Sequence, residues 1–119
     1  MNNSPPGPTV QAPTLGYRDG MIVAFSISPT AADETGSVSE AVASAVRVVR
    51  ESGLPHETNA MFTNVEGDWD EVMAVVKRAV EVVAAASPRV GLVLKADIRP
   101  GYDGQLTAKV ERVEQALQQ

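Results

Sequence analysis

The chain has 119 residues, 44% of them hydrophobic and only 4% aromatic, which fits one globular domain with a core built from Val, Ala, Leu, Ile and Met. It has no cysteine and one histidine, His56, so disulfides, thiolate metal sites and a thiol nucleophile are excluded and a zinc site is not expected. The formal net charge of −5 excludes the clustered Lys and Arg that phosphate backbones and anionic membranes require, and no apolar run reaches the length of a membrane span.

Residues 1 to 20 concentrate Pro5, Pro6, Pro8 and Pro13 among small and polar residues. Such a segment buries too little apolar surface to offset its ordering entropy, so a disordered extension is expected there, with one domain from 21 to 119. It lacks a basic start followed by an apolar stretch, so no signal peptide is expected and a cytoplasmic location follows by default. Met21 to Pro29 alternates, with Val23, Phe25 and Ile27 on one side and Ala24, Ser26 and Ser28 on the other, which predicts a strand. A loop follows, and then a helix from Ser37, whose spacing to Glu40 is that of a capping box. Val38, Ala41, Val42, Ala45, Val46 and Val49 form its apolar stripe, and Gly53 and Pro55 end it.

Two short strands are expected within His56–Ala60 and Phe62–Glu66, with a break near Met61. Asp68 and Glu71 have helix-start spacing, and Val72, Val75, Val76, Ala79, Val80 and Val83 supply a second buried stripe. Val90 to Ile98 is the strongest strand, with Gly91, Val93, Lys95 and Asp97 on one side. A turn at Pro100–Gly104 leads to a final helix from about Leu106, whose Leu106, Val110, Val113 and Leu117 form a narrow seam. The order is strand, helix, strand, strand, helix, strand, plus one helix. That is the βαββαβ pattern of a ferredoxin-like α+β fold, with a four-stranded antiparallel sheet carrying both long helices on one face.

On that reading the other sheet face carries Ser26, Ser28, Lys95 and Asp97, joined by Asn59 and Glu66 if the register of the middle strands allows. Such a face suits a pocket for a small polar ligand, subunit packing, or a pocket between subunits. No Ser-His-Asp motif and no Gly-rich phosphate loop is present, so no catalytic residue is expected and binding is favoured over catalysis.

The stretch AMFTNVEGDWDEVM from Ala60 to Met73, with AVRVVRESGLPHE before it and KADIR after it, resembles the thiamine-binding, YkoF-like protein family. The resemblance runs from about Met21 to Leu117. It implies a ferredoxin-like fold, homodimers that pair into homotetramers, and a thiamine or hydroxymethylpyrimidine ligand. Thr63 and Glu66 match the family's central signature, Asp97 and Arg99 match its Lys-x-Asp-x-Arg strand, and Ser28 stands where it keeps a small polar residue. The sequence departs at Asn59, Ala60 and Phe62, where many relatives have Thr, Pro and Gly. An aminopyrimidine could donate to Glu66, with Asn59, Ser28 and Thr63 completing the contacts, and a thiazolium could rest on Met61 or Phe62. The expected ligand set is therefore Ser26, Ser28, Asn59, Met61, Thr63, Glu66 and Asp97, with no metal, no resident cofactor, and no nucleic-acid or membrane partner. The alternative is a structural or regulatory homo-oligomer whose open sheet face serves only subunit contacts.

Overall fold

The computed structural model describes residues 20–30 and 37–118. The expected Pro-rich extension, the loop at 31–36 and the side chains of Ser37 and Val38 lie outside the described residues. The elements are β1 (Met21–Pro29), α1 (Ser37–Glu51), β2 (His56–Thr58), β3 (Thr63–Gly67), α2 (Trp69–Ala84), β4 (Val90–Ile98) and α3 (Gln105–Leu117). The sheet order is β2-β3-β1-β4 with every neighbouring pair antiparallel, so the expected ferredoxin-like topology is what the chain adopts.

Register fixes the two sheet faces, because residues directly opposite in an antiparallel pair share a face. Val23 stands opposite Val65 and Ala96, and Phe25 opposite Thr63 and Leu94. This face meets the helices: Met21, Val23, Phe25 and Val65 are buried with Ala45, Val48 and Val49 of α1 and Val72, Val75, Val76, Ala79 and Val83 of α2. Val is a mediocre helix former, so both helices depend on this shared packing more than on propensity. Ile22, Ala24, Ser26 and Ser28 face the other way, with Glu66, Asn64, Asp97 and Lys95 as cross-strand neighbours.

Local signals act largely as expected. Asp68 caps α2 by accepting from the Glu71 backbone N–H at 2.7 Å, and the Glu71 side chain accepts in return from the Asp68 backbone N–H. Gly53 adopts the left-handed conformation, φ +80°, just past α1. Three differences matter for the site. First, α1 buries Ala45, Val48 and Val49, whereas Val42 is exposed and Val46 half-buried, so the predicted stripe is rotated. Second, β4, the strongest strand signal, is a sheet edge, and Leu92, Val93 and Ile98 stay exposed. Third, α3 buries none of its residues, and the seam of Val110, Val113 and Leu117 is exposed instead of packed on another element.

Candidate functional site

β1 pairs with β3 only as far as Phe25, while its pairing with β4 continues to Pro29. From Ser26 to Ser28 one edge of β1 therefore has no strand beside it among the described residues. A cleft of about 320 Å³ opens along that edge, between α1 and the tip of the β2–β3 hairpin. Its size sits at the lower end for small-molecule sites. Phe25 and Ile27 line the sheet side, Val42, Ala45, Val46 and Val49 the helix side, and Thr58 to Thr63 the hairpin side.

The hairpin tip is organised by Asn59. Its Oδ1 accepts from the backbone N–H groups of Met61 at 2.8 Å and Phe62 at 2.9 Å, and its own N–H donates to the Phe62 carbonyl at 2.9 Å. Asn serves here because its short amide side chain can close a turn over its own backbone. The chain thus reverses without an Asn-Gly pair, and the amide nitrogen of Asn59 stays free of the turn. Beneath the tip, the Thr58 and Thr63 hydroxyls lie 3.4 Å apart on one rung of the hairpin. Thr63 is buried, Phe62 half-buried and Met61 exposed at the rim.

Five of the seven residues expected from sequence meet at this cleft: Ser26, Ser28, Asn59, Met61 and Thr63. These five do not gather on the open sheet face, where the pocket is expected. The cleft lies on the helix side of the sheet, and Thr63 belongs to the same face as Phe25. The Ser26 and Ser28 side chains alternate onto the opposite face, across from Val93 and Gly91, so these residues line the cleft along the strand's uncovered edge. The walls Phe25, Val42, Val46 and Thr58 were not expected. The signal for Val42 and Val46 was an apolar stripe on α1 broader than the core consumes.

Glu66 and Asp97 do not join this group. Both flank Ile22 on the open face, at the far end of β1 from Ser28. Glu66 is buried because α3 begins on top of it: its Oε2 accepts from the Gln105 N–H at 2.8 Å and its Oε1 from the Leu106 N–H at 3.1 Å. Gly104, in the left-handed N-cap position of α3, has no side chain to offer, so Glu66 supplies the cap from a remote strand. Asp97 pairs with Lys109 of α3, whose hydrogen bond holds its carboxyl below the usual carboxylate range. Arg99 stacks over the Tyr102 ring at 3.7 Å, beside this junction. A second hollow of about 430 Å³ lies between α3 and the open face, touching Asn59, Lys95 and Asp97. One of its walls is α3, which the Glu66 cap and the Lys109–Asp97 pair join to the sheet.

His56 sits exposed with Nδ1 2.8 Å from the Leu54 carbonyl. Among the described residues, no group of three or more His, Asp or Glu could hold a metal ion, and no helix is long and apolar enough to cross a membrane.

Comparison with known proteins bears on the whole fold. The family described as thiamine-binding protein matches residues 23–114. A UPF0045 protein of Mycobacterium bovis is 56% identical over 98 residues, covering 82% of this chain and 94% of the relative. The crystal structure of a hypothetical protein from Methanocaldococcus jannaschii superposes with a TM-score of 0.69 at 33% identity, over 79% of this chain and 95% of that one. A DUF77 domain of unknown function from Bacillus cereus gives a TM-score of 0.65 at 33% identity, over 72% of this chain and 82% of that one.

Proposed function

This chain belongs to the thiamine-binding protein family, and on that premise we propose that it captures thiamine or its hydroxymethylpyrimidine portion in the cleft between β1, α1 and the hairpin tip. The observation that supports this most is the lining itself: the Thr58 and Thr63 hydroxyls, the Asn59 amide and a strand edge unpaired among the described residues meet an apolar floor. A flat aminopyrimidine needs that combination. Its ring lies against Phe25 and Phe62, its ring nitrogens accept from hydroxyl and amide donors, and its amino group donates to backbone or Thr oxygens. The thiazolium rests outward, toward the Met61 sulfur and the rim.

The proposed role is binding without chemistry, with no resident cofactor or metal, in a cytoplasmic protein that carries, stores or senses its ligand. Self-association as a homodimer or homotetramer is part of the same proposal, supported by the exposed seam of α3 and the exposed edge of β4. Titration calorimetry with thiamine and with hydroxymethylpyrimidine tests the reading. Binding of at least one is expected, and Asn59→Ala, which releases the tip, should weaken it several-fold. No heat and no thermal shift with either compound at millimolar concentration would overturn it.

A further inference from the structure

We infer that the cleft accepts its heterocycle only in unphosphorylated form, selecting an uncharged or cationic ligand against its phosphate esters. The inference rests on the proposed reading of the cleft and concerns which ligands that site rejects. Every polar group lining the cleft among the described residues is neutral: the hydroxyls of Thr58 and Thr63, the amide of Asn59, and the backbone of β1 at Ser26 and Ser28, whose own side chains turn to the opposite face. The sequence extends this beyond the described residues. No Lys or Arg occurs from Asp19 to Val46 or from Glu51 to Val76, the spans that supply β1, the following loop, most of α1 and the whole hairpin. Those spans carry ten Asp and Glu residues instead. Arg47 and Arg50 lie on the exposed side of α1, Arg89 precedes β4 beside Thr30, and none of the three lines the cleft.

A phosphate ester entering such a site loses hydration that no cation or charged donor replaces. A neutral pyrimidine, or a thiazolium left at the rim, meets no such obstacle. Discrimination here comes from leaving the wrong ligand's charge unpaired, without any group that clashes with it.

The test is to titrate the full chain with thiamine, thiamine monophosphate and thiamine diphosphate at near-physiological salt. Thiamine is expected to bind, and each phosphate ester to bind roughly tenfold more weakly or worse. Ala60→Lys, at an exposed position of the lining, should raise diphosphate affinity relative to thiamine and narrow the gap. Val46→Lys, from the helix wall, gives an independent reading of the same effect, with folding checked by thermal melting. Equal affinity for thiamine and its diphosphate in the unaltered protein overturns the selectivity and leaves the cleft reading intact. If none of the three compounds binds, the cleft reading falls and the selectivity falls with it.

Discussion

Glu66 shows how a single side chain can be recognisable as important in sequence and still be assigned the wrong partner. Its position before Gly67 and Asp68 suggests service to the next helix or to a ligand, whereas its two oxygens hold the start of α3, 39 and 40 residues further on. Nothing local encodes that contact, because it exists only once β3 and the turn before α3 are neighbours in space. Asn59 is the converse case. It was legible as a polar residue near the site, but its role is to close the turn, and the lack of an Asn-Gly or Asp-Gly pair hid the signal. The contrast gives a clean prediction. Glu66→Gln replaces one acceptor oxygen by a donor amide facing another donor, so one of the two capping bonds is lost. Stability should fall by about 1–2 kcal/mol in denaturant titration, and hydrogen exchange at Gln105 and Leu106 should accelerate. Thiamine affinity should stay within about twofold, since Glu66 does not line the cleft. Unchanged exchange in α3, or collapse of binding, would contradict this assignment.

Among the elements, those with strong local signals and a packing partner were legible nearly to the residue. β1 and β4 follow from alternation, and α2 from its capping pair and valine stripe. What alternation cannot reveal is whether a strand will lie at the centre or the edge of the sheet, which explains why β4 is more exposed than its composition suggests. For α3 the seam was legible and its destination was not, because helical spacing shows that an apolar face exists and not what covers it. This helix is joined to the body at its first turn by Glu66 and further along by Lys109 on Asp97. The Lys109 hydrogen bond lowers the folded-state pKa of Asp97 below its ordinary value of 3.8. A depressed carboxyl pKa contributes stability that is fully present above the unfolded value and is lost as pH falls through the folded one. The stability difference between the wild type and Asp97→Asn should therefore be constant from about pH 5 to 7, and shrink toward zero below the ordinary value. Both partners are about half exposed, so the plateau should not exceed about 1 kcal/mol and should diminish in high salt. Chemical denaturation across that pH range, read by helical circular dichroism, measures it; a difference that grows on acidification would reverse the sign assigned to Asp97.

At the scale of the molecule, the sheet separates two tasks that strand alternation alone leaves on one face. One face, under α1 and α2, ends in the cleft at the uncovered edge of β1; the other, at the far end, anchors α3. Alternation along β1 is legible in the sequence, yet register alone decides that Thr63 falls with Phe25 and Glu66 with Ile22, and register is a long-range property. The separation has an energetic consequence. Asn59 is hydrogen-bonded to Phe62, which lies four residues along the chain from Glu66, about 13 Å at strand spacing, and the two side chains share no partner. Perturbations that far apart without a common contact usually add. In a double-mutant cycle of Asn59→Ala and Glu66→Gln, the coupling in unfolding free energy should therefore lie below about 0.5 kcal/mol. The loss of thiamine affinity caused by Asn59→Ala should be the same in either background. A coupling above about 1 kcal/mol, or a ligand loss that depends on Glu66, would mean that α3 and the cleft report to one another through the sheet, and the helix would then have to be counted as part of the binding apparatus.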